Sequence, residues 1–310
     1  DCIELLDKER VSIKNRKYKN KTVKYKPVLY NRNKQQEISV KVKNLEQLES
    51  ALECGVDRIY YEDTNTIDKA MSLAMKYNKK VIYSAPRIIR NKEYNHLAKA
   101  NNAGVESVQV GNYGSIDYFK DKKLNIDYYL NAFNSETINY YKEIGADTLC
   151  ISQELNINEI KETIKYTDIN IESVVYGYTP LMITEYCPMG VIVRDCKKDK
   201  RVAKCKESIY ALRNSKGDEF RVSQDIFCRS TIYNSNVTCM LDNLYELHEI
   251  GINVLRLDFT LEDKETVKEV IEAYQEVLSN DYKLATKATK LYNKLDEKGT
   301  TAGHYYKGVE

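Results

Sequence analysis

The sequence predicts a (β/α)8 barrel, a TIM-barrel-like α/β fold, with an insertion between its seventh and eighth units. Three observations lead to this fold class. From residue 37 onward, eight short β-branched and aromatic runs alternate with helical runs. The interval between the seventh and eighth strands is much longer than the others. Glycines stand between a helix and the following strand, where a left-handed cap favours glycine, at Gly55, Gly104, Gly145 and Gly251.

The elements follow in order from period-2 and period-3.6 hydrophobic patterns. The predicted strands are Ile38–Val42, Arg58–Tyr61, Lys80–Ser84, Ser107–Val110, Ile126–Leu130, Thr148–Ser152, Ile171–Tyr176 and Val254–Phe259. The predicted helices are Leu45–Cys54, Ile67–Tyr77, Tyr94–Asn102, Ile116–Lys120, Ser135–Ile144, Ile157–Tyr166, Leu241–Ile250 and Lys264–Leu278. An open doubly wound sheet is the alternative, but no glycine-rich phosphate loop follows the first strand.

Length and composition agree with one large domain. The chain has 310 residues, which suits a barrel of about 250 residues plus additions. Hydrophobic residues make up 42% and charged residues 30%, as in ordinary globular proteins. No apolar run approaches the ~18–20 residues of a membrane span, and no signal peptide opens the chain. We therefore expect a cytoplasmic protein without a membrane partner. The start at Asp1 is typical of a piece of a longer chain.

Residues 1–36 are predicted to be a basic lead-in, followed by the barrel domain at 37–310. Between residues 8 and 34 there are eleven Lys or Arg residues and one acid. One interpretation is a solvated linker. The other is a contact for RNA phosphates, with interleaved tyrosines stacking on bases. The net charge of +2 does not by itself indicate a nucleic-acid partner.

The insertion, at about 178–240, carries a cluster of cysteines. Four of the eight cysteines fall within the 42 residues from 187 to 228, at Cys187, Cys196, Cys205 and Cys228. Without an export signal, clustered thiols favour metal or redox chemistry over disulfides. Four thiolates can hold zinc or an iron–sulfur cluster, and the long spacings suit a cluster better than zinc knuckles. Unligated buried cysteines are the alternative. Cys239, at the start of a predicted helix, is the substitute ligand, whereas Cys54 and Cys150 are expected in the core.

Polar residues at strand ends are the other candidates, because barrel active sites lie at the C-terminal rim. They include Arg87, Asn131, Asn134, Glu154, Glu62, Asp63, Asn112, Tyr176 and Asp258. Arg229 stands next to a clustered cysteine. His304 lies in a glycine-flanked closing segment that can turn back across the barrel, or is simply a flexible end. His96 and His248 are expected to be surface or packing residues.

Several segments resemble the peptidase U32 family. They are Val174–Gly190, Asp225–Ser235, Leu130–Ser135 and Gly303–Val309. The likeness covers about residues 37–310. This region is similar to the C-terminal barrel of long U32 proteins, which carry a second U32 region. Tyr186-Cys-Pro-Met-Gly190 departs from the family signature, in which Gly precedes the thiol and Ser-Gly follows it.

The resemblance implies a 4Fe-4S cluster on Cys187, Cys196, Cys205 and Cys228. It also implies oxygen-independent hydroxylation of an RNA base, either a 23S rRNA cytidine or a tRNA uridine, with prephenate as an oxygen donor. The expected partners are RNA and a second U32 region or subunit, without DNA. His304 and Arg87, Asn131, Asn134, Glu154 and Arg229 are predicted to surround the substrate, with arginine suited to a carboxylate donor. A collagenase-type U32 peptidase and a non-catalytic RNA-binding half of a longer protein are the alternatives.

Overall fold

The computed structural model describes residues 1–11, 26–28, 35–192 and 210–309. Its strands are β1 (Glu37–Val42), β2 (Arg58–Tyr61), β3 (Ile82–Ser84), β4 (Ser107–Val110), β5 (Lys123–Ile126), β6 (Ala146–Cys150), β7 (Asn170–Gly177), β8 (Pro180–Thr184), β9 (Tyr210–Arg213), β10 (Glu219–Gln224), β11 (Ser230–Tyr233), β12 (Val237–Cys239), β13 (Val254–Asp258) and β14 (Thr300–Thr301). Its α-helices are α1 (Cys2–Val11), α2 (Leu45–Glu53), α3 (Ile67–Lys76), α4 (Tyr94–Asn102), α5 (Tyr113–Tyr118), α6 (Ser135–Glu143), α7 (Ile157–Ile164), α8 (Pro188–Ile192), α9 (Leu244–Ile250), α10 (Lys264–Ser279) and α11 (Thr286–Asp296).

Eight parallel strands close into a barrel. Strands β1 to β7 pair in sequence order, and β13 pairs in parallel with both β7 and β1. At this seam a Cβ on Gly177 would lie 2.5 Å from the backbone oxygen of Asp258, so glycine permits the close approach. The predicted TIM-barrel fold class is confirmed.

Helices such as α10 cover the barrel with an apolar face. In α10, Asp263 caps the N-terminus by accepting a hydrogen bond from the backbone N–H of Thr266. Val270, Tyr274 and Val277 of α10 are fully buried, at the helical spacing that puts them on one face. Burying each such side chain stabilises the fold by about 1.5–3 kcal/mol.

Two local predictions were wrong, and one helix was not predicted. The fifth strand ends at Ile126 and not at Leu130, because the Asp127 side chain accepts from the N–H of Tyr128 and starts a 3-10 turn. Cys239 does not begin a helix; it lies buried in β12, which pairs antiparallel with β7. Helix α11 was not predicted.

The insertion forms a small antiparallel sheet in the order β8-β11-β10-β9. It lies over the C-terminal ends of the barrel strands. The Nζ atom of Lys43, just after β1, donates to the hydroxyls of Ser223 in β10 and Tyr233 in β11, at 3.2 and 2.8 Å. None of the helices in the described part of the chain combines the length and the apolar character needed to cross a bilayer.

Candidate functional site

A cavity of about 510 Å³ separates the barrel mouth from the insertion sheet. The barrel contributes residues that follow the C-terminal ends of its strands, among them Lys43, Glu62, Arg87, Tyr129 and Thr260. The insertion contributes Ile183, Ser223, Gln224, Thr231 and Tyr233, among others. A cavity of this size is in the range of small-molecule sites, and its position is that of active sites in barrel enzymes.

A network of buried charges in the barrel interior, which we call the floor, reaches the cavity through Lys41 and Glu62. The guanidinium of Arg256 is fully buried and lies 2.9 Å from Asp127, 3.3 Å from Glu172 and 2.6 Å from Asp258. Lys41, which also lines the cavity, lies 3.3 Å from Asp127 and 3.1 Å from Glu62. Every charge in this network therefore has an opposite partner, as burial requires.

The network shifts the two buried carboxyl groups in opposite directions. Burial alone raises the pKa of Asp127, but Arg256 and Lys41 outweigh it and hold this pKa below its ordinary value. Burial dominates at Glu172 and raises its pKa, although Ser39 and Tyr60 donate hydrogen bonds to the carboxylate.

Sequence reasoning missed this floor, although the sequence carries a signal. Lys41, Glu172 and Arg256 each stand inside a short strand whose neighbouring residues are apolar or buried. Charged residues are rarely buried unless they are paired. A charge within each of three barrel strands therefore indicates partners in the barrel interior.

Arg87 is the cation at the cavity edge that retains capacity for an anionic ligand. Its guanidinium stacks on the ring of Tyr129 at 4.0 Å, and within the described ranges it forms no ion pair. Burial raises the pKa of Tyr129 to about 12, so its phenol stays protonated at neutral pH. A planar guanidinium held on an aromatic ring is well suited to a carboxylate or a phosphate.

Arg229 also lines the cavity, but its hydrogen-bonding capacity is used by the protein. Its five side-chain hydrogen bonds go to Glu93 (2.6 and 2.7 Å), Glu185 (2.9 Å), Asp225 (3.3 Å) and the carbonyl of Ile88 (3.1 Å). Glu93 and Ile88 belong to the barrel segment after β3, whereas Glu185 and Asp225 belong to the insertion. Arg229 therefore fastens the insertion to the barrel, and its predicted contact with a substrate carboxylate has no geometric support.

Two of the four predicted cluster ligands lie beyond the same end of one strand pair in the insertion sheet. Strands β8 and β11 are antiparallel, with Thr184 opposite Ser230. Cys187 follows Thr184 by three residues and Cys228 precedes Ser230 by two, so both leave the strand pair at the same end. Cys196 and Cys205 lie outside the described residues. Within the described ranges, no three cysteine, histidine or acidic side chains form a complete metal site.

The neighbourhood of Cys228 fits a sulfur-rich group. Gln224 and Ser230 stand opposite each other across β10 and β11, so their side chains share a face. Gln224 Nε2 and Ser230 Oγ are buried and have no hydrogen-bond partner. Buried hydrogen-bond donors are normally paired with an acceptor, and the sulfur atoms of a cluster can accept hydrogen bonds. Cys228 itself adopts a left-handed backbone conformation with φ 63°.

The remaining predicted site residues do not line the cavity. Asn134 caps α6 by accepting from the N–H of Thr137, and Asn131 is an exposed left-handed residue ending the 3-10 turn after β5. Glu154 is exposed on the segment between β6 and α7. His304 is exposed, and its Nδ1 lies 2.8 Å from the carbonyl oxygen of Gly308. Catalytic roles for these residues stay predictions.

The closing segment is nevertheless anchored on the barrel. The hydroxyl of Tyr305 is buried and lies 2.7 Å from both Ser173 Oγ and the carbonyl of Val174 in β7. The N–H of Ile157 donates to the carbonyl of Tyr305. His304 therefore lies beside the start of α7, on the strand C-terminal side but outside the cavity.

A closed parallel barrel with a cysteine-bearing insertion over its mouth defines a TIM-barrel protein with a candidate site at the C-terminal rim. The profile of peptidase family U32 matches residues 43–309. The chain belongs to peptidase family U32.

Individual proteins show more distant similarity. The chain is 26% identical over 227 residues to tRNA hydroxylation protein P2 of Bacillus subtilis, covering 68% of this chain and 72% of that protein. It is 20% identical over 268 residues to tRNA hydroxylation protein P1 of the same organism, covering 79% of this chain and 63% of P1. The chain thus spans less than two thirds of P1. Among solved structures, the U32 peptidase Mk0906 superposes with a TM-score of 0.41 at 10% identity, covering 78% of this chain and 97% of that one.

Proposed function

We propose that this chain takes part in the hydroxylation of a tRNA base, with the base entering the cavity at the barrel mouth. The observation that carries the proposal is the similarity to the tRNA hydroxylation proteins P2 and P1 of Bacillus subtilis. A cavity of about 510 Å³ accommodates a nucleobase together with a small co-substrate. A uridine is the base that the family resemblance implies for tRNA, and the 23S rRNA cytidine is the alternative.

Arg87 and Tyr129 provide the binding surface for the oxygen donor in this proposal. Arg87 neutralises a carboxylate at the cavity edge, and Tyr129 holds the guanidinium plane in place at 4.0 Å. The protonated phenol of Tyr129 and the ammonium of Lys43 supply hydrogen-bond donors facing the same space. A small dicarboxylate such as prephenate has the charge that this edge attracts.

Cys187, Cys196, Cys205 and Cys228 are the proposed ligands of a 4Fe-4S cluster. Such a cluster, when bound, supplies redox chemistry next to the cavity. Within the chain, Arg229 holds the Cys228 segment against the barrel, because it joins Asp225 and Glu185 to Glu93. Gln224 Nε2 and Ser230 Oγ provide donors for acceptor sulfurs on that side.

A peptidase is the competing activity within this family, and the cavity offers it no nucleophile with a matching base. Neither histidine nor cysteine occurs among the described residues that line the cavity. Ser223 lies 3.2 Å from Lys43, a pair that would need a neutral lysine. Burial lowers the pKa of Lys43, but Tyr233 and Glu62 outweigh it and raise this pKa above its ordinary value. Lys43 is therefore a donor and not a base.

The test combines a deletion strain with variants. Mass spectrometry of tRNA nucleosides should show loss of a hydroxylated nucleoside on deletion and its recovery with the wild-type chain. Arg87→Ala should fail to restore it, whereas Arg213→Ala should restore it, because Arg213 is exposed on β9 and does not line the cavity. An unchanged nucleoside profile in the deletion strain refutes the proposal. Casein cleavage by the purified protein, abolished by Ser223→Ala, would instead establish the peptidase.

A further inference from the structure

Three consecutive loops on the cavity side of the barrel expose large apolar side chains. Ile88 follows β3, Tyr113 follows β4 and Phe133 follows β5. Tyr113 is 62% exposed and Phe133 is 38% exposed. Strands β3, β4 and β5 are neighbours in the barrel, so their C-terminal loops are neighbours as well. We call Ile88, Tyr113 and Phe133 the rim patch.

Hydrogen bonds link the three loops to each other. Asn112 Nδ2 donates to the carbonyls of Pro86 and Arg87, at 2.9 and 3.2 Å, which joins the first loop to the second. The hydroxyl of Tyr113 lies 3.2 Å from that of Tyr141, which donates to the carbonyl of Leu130 at 3.0 Å. This joins the second loop to the third.

The rim patch is therefore preformed. Exposed apolar side chains on loops that are joined in this way are typical of a surface that binds a partner. Tyr113 and Phe133 also offer ring faces to that partner.

The rim patch is continuous with the cavity. Ile88 belongs to both, since it lines the cavity edge next to Arg87. Tyr129, under the Arg87 guanidinium, precedes Phe133 on the loop after β5. Arg90, on the loop after β3, is paired with Glu185 at 2.9 Å. Of these two arginines, Arg87 is therefore the one left to bind a ligand in the cavity.

We infer that the rim patch binds the nucleotides next to the target base, by stacking on Tyr113 and Phe133. The inference rests on the proposed function and names the RNA-contacting surface. A base must leave its stack to enter a cavity in a barrel. Aromatic side chains beside the entrance replace the lost stacking for its neighbours, independently of sequence. The partner is single-stranded RNA, such as a loop of tRNA.

The experiment measures binding of the full chain to unfractionated tRNA and to a 12-nucleotide single-stranded oligouridine. Phe133→Ala and Tyr113→Leu should each weaken binding by about 5- to 150-fold, the factor that corresponds to about 1–3 kcal/mol per stacked base. Tyr113→Phe loses the hydroxyl contact with Tyr141 but keeps the ring, so it should bind as the wild type does. Tyr77→Ala is the matched control, since Tyr77 is 38% exposed at the end of α3, on the opposite side of the barrel.

Salt dependence separates stacking from charge effects. The slope of log affinity against log salt should be unchanged in Phe133→Ala, because no phosphate contact is lost. If Phe133→Ala and Tyr113→Leu both bind RNA with wild-type affinity, the inference about the rim patch is refuted. It is also refuted if Tyr77→Ala weakens RNA binding as much as they do. If those variants bind normally while the deletion strain lacks the hydroxylated nucleoside, the patch fails and the proposed function stands. Weaker RNA binding by the variants, together with an unchanged nucleoside profile in the deletion strain, supports the patch as an RNA-binding surface and refutes the hydroxylation.

Discussion

Replacing Arg229 tests how the insertion is held on the barrel. The Arg229 side chain is only 3% exposed and bridges Glu93 to Glu185 and Asp225. Arg229→Ala leaves these acids, of which Glu93 is mostly buried, without their cation. Breaking a buried pair from one side costs about 3–5 kcal/mol of the free energy of unfolding. Arg229→Lys should be intermediate, because lysine cannot reproduce the bidentate contact with Glu93.

Arg90 provides the matched control because it contacts the same acid. Its guanidinium also lies 2.9 Å from Glu185 Oε1, but its side chain is 61% exposed. Exposed pairs contribute about 0–1 kcal/mol, so Arg90→Ala should change the free energy of unfolding little. Urea unfolding followed by circular dichroism measures both variants, with the denaturant slope as the check on compactness. An Arg229→Ala cost within about 1 kcal/mol of that for Arg90→Ala refutes the reasoning.

Three further predictions concern the thiols, the barrel floor and the lead-in. Cys187→Ser and Cys228→Ser should each lower the iron and sulfide content of anaerobically purified protein, whereas Cys54→Ser should not; stoichiometric zinc in iron-replete, oxygen-free preparations would contradict the cluster. The pKa of Asp127 is lower in the folded chain than in the unfolded chain. Its contribution to stability is therefore present above the pKa of the unfolded chain and is lost as the pH falls below about 4. Asp127→Asn should therefore lower the free energy of unfolding at pH 7 and flatten its decline in acid, and an unchanged acid dependence would contradict this. Removing residues 14–34 should weaken RNA binding and reduce the slope of log affinity against log salt. Identical slopes for the truncated and the full chain would indicate that the segment is only a linker.

The barrel itself was readable from the sequence because its evidence is local. Strand β4 and helix α4 were predicted with their observed bounds, since each rests on the hydrophobic period of a few neighbouring residues. The capping residues gave independent evidence of where helices end. Gly251, for example, ends α9 with φ 95°. The clustering of cysteines in the insertion is likewise a property of the chain alone.

A predicted strand boundary was wrong where a side-chain hydrogen bond to the backbone overrode the hydrophobic pattern. The apolar run after Ile126 favours a longer strand, but the Asp127 carboxylate accepts from the backbone and turns the chain instead. The same carboxylate then serves as the partner of Arg256 and Lys41. A pattern of hydrophobic residues contains no information about such a choice.

Only the tertiary structure decided the roles of the charged residues. Arg87 and Arg229 look alike in the sequence, each an arginine near a strand, yet the first faces the cavity and the second is enclosed by acids. Glu93 is 136 residues from Arg229 along the chain. The energy of an ion depends on the partners and the water around it, and these are set by chain segments far apart in sequence. Hydrophobic periodicity therefore determined the barrel, whereas three-dimensional proximity decided which of its charges are left to bind a ligand.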